Sequence, residues 1–134
     1  MSPAQELYSG MLVKLRDSFP GKVWDGDLIV PEGTPYPFIQ MGNTQDLSEF
    51  GVKGGFFGKA SLDIHVWHND PRKRGDFSNL MFSIRRLAAQ LSATPGYGWC
   101  LSGSDEQVIP DNTTKEPLMH GVLSFEFKYW RKKS

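Results

Sequence analysis

Three histidines and a single cysteine are the side chains of this sequence with the widest chemical reach. His65 and His68 have H-x-x-H spacing within an alternating stretch. Residues three apart on a strand point to opposite faces, so the two cannot hold one ion. Zinc needs three or four convergent ligands, and only a fold bringing His120 and Cys100 alongside would supply them. We therefore expect no metal site. Cys100 lies between Trp99 and Leu101, where a cysteine reads as a small buried hydrophobe rather than a nucleophile. No G-x-S-x-G elbow offers a serine instead. The glycines at 42, 51, 54, 55 and 58 suggest a phosphate cradle by composition alone. A P-loop, G-x-x-x-x-G-K-[ST], would need glycine at position 53, where Lys53 stands, and a hydroxyl where Ala60 stands. The segment also leads into a strand rather than a helix, so it reads as a connection.

The sharpest enzymatic arrangement is Pro110-Asp111 with Glu126-Phe127-Lys128 downstream. It resembles the pattern of metal-dependent nucleases, in which two carboxylates hold Mg²⁺ and a lysine helps position the attacking water. On a strand, however, Glu126 and Lys128 share a solvent face, which an ordinary charge pair explains. Those nucleases also continue into a further helix, whereas here the sequence runs only to Ser134. The expectation is a protein without catalytic residues and without a cofactor.

The elements that would position these residues are legible from periodicity. Ser2, Pro3 and Gln5 make a helix start, with a hydroxyl cap, proline in the first turn and glutamine at the third position. Leu7, Met11, Leu12, Leu15 and Phe19 then trace an apolar stripe that Pro20-Gly21 ends. A second helix follows from Phe77, Leu80, Met81, Ile84, Leu87, Ala88 and Leu91, with Asp76 as its expected cap and Pro95-Gly96 as its stop. Lys59 to Trp67 alternates, with Ala60, Leu62, Ile64 and Val66 on one face, and His120 to Trp130 does the same with Leu123, Phe125, Phe127 and Tyr129. Shorter strands are expected at Lys22–Asp25, Pro37–Met41, Trp99–Ser102 and Glu106–Ile109. Residues 26–36 read as a stiff, proline-bearing arm, and residues 42–58 as a long flexible loop. Such loops are usually functional. The fold class that results is α+β: a mainly antiparallel sheet of four or more strands with two amphipathic helices on one face.

With 134 residues the chain is expected to form a single domain, 1–134, large enough to fold without staples. One cysteine excludes a disulfide framework. The 15 basic and 15 acidic side chains give a net charge of zero, which argues against a dedicated nucleic-acid binder. That zero divides unevenly: residues 1–71 carry nine acidic and five basic side chains, and residues 72–134 carry six and ten. Opposite charge in the two halves suits a chain that meets copies of itself. No apolar run is long enough for a membrane span, and a basic-then-apolar leader is absent, so a reducing cytoplasm is the expected place of synthesis.

The order of segments across about 120 residues resembles the tail completion proteins of long-tailed bacteriophages, also called tail terminator or tail-to-head joining proteins. The likeness is carried by Leu7-Tyr8 in the first helix, Val23-Trp24-Asp25-Gly26, the proline-rich arm and Pro35-Tyr36-Pro37-Phe38-Ile39-Gln40-Met41-Gly42. It continues through a long variable loop, Leu62-Asp63-Ile64-His65-Val66-Trp67, an amphipathic helix and His120-Gly121-Val122-Leu123-Ser124-Phe125. The resemblance implies a virion protein, assembled in the host cytoplasm and sited where tail meets head. It would form a six-fold ring on the head-proximal end of the tail tube, contacting copies of itself, the tail tube protein and a head completion or connector protein. DNA would pass through the ring lumen, and no membrane is involved. Candidate protein-contact residues are Gln45, Asp46, Glu49, Phe50, Lys53, Phe56 and Phe57 in the variable loop, with Arg72, Lys73 and Arg74 as a basic group. Adjacent Phe56 and Phe57 in polar surroundings have the character of anchors awaiting a partner.

Overall fold

The computed structural model describes residues 1–26, 29–47, 57–111 and 118–132. Helix α1 spans Pro3–Ser18. Ser2 is its cap: the Ser2 side chain accepts from the Gln5 N–H at 3.3 Å, and Pro3 fills the first turn. Its stripe of Leu7, Met11 and Leu15 is fully buried. Helix α2 spans Arg74–Gln90 and buries Phe77, Met81, Ile84 and Ala88. It begins two residues before the expected cap. Asp76 lies inside the first turn, where a carboxylate offsets the positive end of the helix dipole, and no side chain caps α2. The capping carboxylate is Asp70 instead, which accepts from the Arg72 N–H at 3.0 Å and starts the 3-10 turn Pro71–Lys73 leading into α2.

Five strands form one sheet: β1 (Val23–Trp24), β2 (Phe38–Asp46), β3 (Phe57–His68), β4 (Tyr97–Asp111) and β5 (Leu118–Arg131), in the spatial order β1-β2-β3-β5-β4. The β1–β2 pair is parallel and all others are antiparallel. This is the expected α+β class. Both helices cover one face of the sheet, α1 over β1 to β3 and α2 over β4 and β5. Between the layers lie Ile39, Met41, Leu62, Ile64, Val66, Leu123, Phe125 and Phe127. Burying an aliphatic or aromatic side chain of this size contributes about 1.5–3 kcal/mol, so this alternation holds the layers together. Close approach of α2 depends on Gly121, since a Cβ there would lie 2.6 Å from the Met81 sulfur and 2.8 Å from Phe77.

Two expectations about strands are corrected. The pieces at 99–102 and 106–109 are one strand, because β5 offers a continuous partner and a bulge between Leu101 and Gly103 absorbs the polar interruption. The expected loop 42–58 is shorter than its glycines imply. A bulge between Met41 and Thr44 carries β2 on to Asp46, Leu47 still donates its N–H to the Lys59 carbonyl at 2.7 Å, and β3 begins at Phe57.

The segment Val23-Trp24-Asp25-Gly26 ties the first connection down, with Val23 buried in the core. The Tyr8 hydroxyl on α1 donates to the Asp25 carboxylate and accepts from the Gly26 N–H at 2.9 Å. In the first turn of α1, the buried Glu6 carboxylate accepts from the Gly96 N–H at 2.8 Å, linking the helix to the turn before β4. No described helix is long and apolar enough to cross a membrane.

Candidate interaction surfaces

The alternation of β3 sorts its residues cleanly. Ala60, Leu62, Ile64, Val66 and His68 point to the helices, and Phe57, Lys59, Ser61, Asp63, His65 and Trp67 lie on the open face. His65 and His68 are therefore on opposite faces, as their spacing requires. His68 is buried near Phe77, and its Nδ1 accepts from the backbone N–H of Asn69 at 2.9 Å. Among the described residues no group of three metal-ligating side chains converges.

The open face nevertheless carries a constellation that the spacing did not reveal. His120 stands opposite Trp67 in the β3–β5 register, and their rings stack with centroids 3.8 Å apart at 6°. Nε2 of His120 is 2.7 Å from Nδ1 of His65, and Phe38 stacks on the other side of Trp67 at 6.5 Å. A hydrogen bond between two imidazoles needs one neutral nitrogen as acceptor. Independently of that bond, burial pushes the His65 pKa below its usual value, and the nearby Asp63 carboxylate only partly offsets this. The buried indole nitrogens of Trp24 and Trp67 have no hydrogen-bond partner among the described residues. Cross-strand register brings these rings together, and sequence separations of 29 residues for Phe38 and Trp67 and 55 for His65 and His120 hid them.

The expected contact residues fall into two separate places. Glu49, Phe50, Lys53 and Phe56 lie outside the described residues. Gln45 and Asp46 belong to β2, not to a loop. Gln45 is exposed opposite Ser61, and Asp46 has a structural task, accepting from the Tyr129 hydroxyl at 3.1 Å across β3. Phe57 opens β3 opposite Trp130; it is 64 % exposed and Trp130 41 %. The Trp130 indole lies against Gly98, where a side chain would not fit. Arg72, Lys73 and Arg74 follow the far end of β3 and are all exposed. Arg72 contacts the Asp70 carboxylate at 3.4 Å, and its backbone N–H and guanidinium together hold that carboxyl below the usual aspartate range. The aromatic pair and the basic turn thus stand at opposite ends of a 12-residue strand, roughly 35 Å apart at about 3.3 Å per residue.

Two chemical readings change with the geometry. Cys100 is exposed rather than buried: it sits opposite Lys128 on the open face, because the inward positions of β4 are taken by its neighbours Trp99 and Leu101. Asp111 pairs with Leu118 at one end of the β4–β5 ladder, whereas Glu126 pairs with Gly103. Eight residues of strand separate the two backbone positions, roughly 26 Å along the ladder.

The same arrangement of elements occurs in a chain from the virion of a native gene transfer agent particle, with a TM-score of 0.56 at 13 % identity, covering 95 % of both chains. The chain shares the fold of a virion component. A second solved chain matches with a TM-score of 0.56 over 99 % of both chains at 8 % identity. At these identities the likeness is one of fold. No family model and no curated protein matches the sequence.

Proposed function

We propose that this chain is a virion assembly protein that closes the head-proximal end of a phage tail tube as a ring and joins the tail to the head. The observation that carries the reading is the shared fold with a gene transfer agent virion chain along nearly the whole length of both. The layout of the surface supports it. A joining protein needs one surface for the tube and another for the head, and the Phe57–Trp130 pair and the Arg72–Arg74 turn lie at opposite ends of β3. The partners in this reading are further copies of the chain, the tail tube protein and a head completion or connector protein. Its place is the head–tail interface of a virion assembled in the host cytoplasm, and DNA passes through the lumen of the ring. Weak individual contacts repeated around a ring hold collectively, so a closed ring remains attached where one subunit would leave. No step of this role is catalytic and none uses a cofactor.

The test is electron microscopy of the purified chain mixed with tail tubes. A six-fold ring at one end of each tube is expected, followed by attachment of heads when these are added. Tubes that stay bare, or that are coated along their sides, would overturn the reading. Phe57→Ala with Trp130→Ala is expected to break one of the two junctions, and Arg72→Glu with Arg74→Glu the other.

A further inference from the structure

The zero net charge hides a division between the two layers of the fold. The two helices, residues 19–22 after α1 and the 3-10 turn before α2 carry eight basic and three acidic side chains. The remaining described residues, the sheet and its connections, carry four basic and nine acidic ones. Of the three acids on the helix layer, Glu6 is buried and holds the Gly96 N–H, which leaves Asp17 and Asp76 at the surface. The helical side of the molecule is therefore basic and the sheet side acidic.

These basic side chains are all exposed except Lys14, which is half-buried. Among the described residues the layer has one ion pair, Arg72 with Asp70 at 3.4 Å. Glu106 on β4 lines the same cavity as Arg74, without an ion pair between them. Arg74 and Arg85 are three helical turns apart, so they share one side of α2 at a distance of about 16 Å along its axis. Arg86 lies on the side away from the buried stripe. The Arg85 guanidinium rests over the Phe82 ring, 5.4 Å from its centroid, which holds that charge at the surface. Apolar material is sparse: Val13 and Phe82 are the large hydrophobic side chains exposed on the described helices.

We propose that the helix layer binds the phosphate backbone of double-stranded DNA without reading its sequence. This inference rests on the reading above only for the source of the DNA, the duplex that crosses the ring. Dispersed arginines and lysines with little apolar surface between them have the composition of a phosphate-contacting surface. A protein partner would need a larger apolar centre to anchor it. The acidic sheet side repels the same duplex, so the field of the molecule turns its helices toward the DNA. A net charge of zero argues against a dedicated nucleic-acid binder only while the charges are mixed. Here the compensating carboxylates are on the opposite layer.

The test is fluorescence anisotropy of a short labelled DNA duplex titrated with the full chain. Binding is expected at low salt, equal for two duplexes of unrelated sequence and weakening steeply as salt rises. Arg85→Gln with Arg86→Gln, away from the turn assigned to a junction, is expected to weaken binding about ten-fold and to lower the log–log salt slope by about 2. Circular dichroism should be unchanged. Lys14→Gln with Arg16→Gln should act in the same direction from α1. Lys59→Gln with Lys128→Gln removes the same charge from the open face and should weaken binding by less than about two-fold. No binding at low salt, or equal losses from the open-face and α2 pairs, would overturn the proposal. Displacement of the duplex by polyglutamate at equal charge concentration would also overturn it, in favour of an acidic protein partner. Rings on tail tubes from a chain that binds no duplex would overturn this surface and leave the tail-capping role standing. Duplex binding with bare tubes would do the reverse.

Discussion

On the helix-covered face of the sheet, Ile39, Leu62, Ile64, Leu123 and Phe127 have no solvent exposure, whereas Trp24, His65, Trp67 and His120 on the open face stay half-buried. The covered face is apolar at the alternate positions from Ala60 to Val66 on β3 and from Leu123 to Phe127 on β5, and is anchored by two helices. The open face gathers rings and imidazoles at one end and Lys59, Glu126 and Lys128 at the other. Stability should therefore be concentrated on one side of the sheet, with the other the more sensitive to pH.

Substitutions can break that contrast, and the largest loss is expected inside. Phe125→Ala removes a ring that is 1 % exposed and packs at 6.4 Å from Phe127. It should cost about 3–5 kcal/mol of unfolding free energy, read from the denaturant midpoint. Thr94→Val comes next. The buried Trp99 indole N–H donates to the Thr94 hydroxyl at 2.8 Å, and leaving it unpaired should cost about 1–3 kcal/mol. On the open face, His120→Ala deletes a stacked ring contact and should cost about 0.5–1.5 kcal/mol. A loss as large as that of Phe125→Ala would erase the distinction between faces.

The same contrast has a pH signature. The folded state lowers the His65 pKa, so it binds fewer protons than the unfolded chain just below the normal histidine pKa of 6.5. The His65 contribution is complete above that value and declines as pH falls toward the folded pKa. Unfolding free energy measured from about pH 8 down to about pH 5 should decrease, and more steeply than in His65→Gln. Equal slopes would assign the acid sensitivity to other groups. The smallest effect is expected for Gln45→Ala, an exposed position, which should change stability by less than about 0.5 kcal/mol while remaining a candidate for altered tail or neighbour contacts.

Much of this architecture was legible in the residues themselves. The stripe of Leu7, Met11 and Leu15, the Ser2 cap and the alternation of β3 and β5 each depend on neighbours a few residues away. Local spacing therefore encodes them. The β4 strand was not legible as one piece, because Ser102, Gly103 and Ser104 weaken its local pattern and only pairing with β5 carries it across. Cys100 shows the same limit: its apolar neighbours suggested burial, but in a strand those neighbours take the inward positions and turn it out. The likeness of segment order to tail completion proteins pointed to a virion role before any geometry. The solved virion chain with the same arrangement of elements is 13 % identical, so that likeness speaks of architecture alone.

The division into an acidic and a basic half was written in the sequence, as was the absence of a disulfide framework, because counts need no coordinates. Where those halves lie in space depended on strand order. A sheet ordered β1-β2-β3-β5-β4 keeps the halves on separate flanks, whereas an interleaved order would have cancelled them. The pairing of His65 with His120 beside Trp67, and the separation of Asp111 from Glu126, were likewise decided only by register. Backbone hydrogen bonding between strands sets which distant residues meet, and no local spacing records that choice.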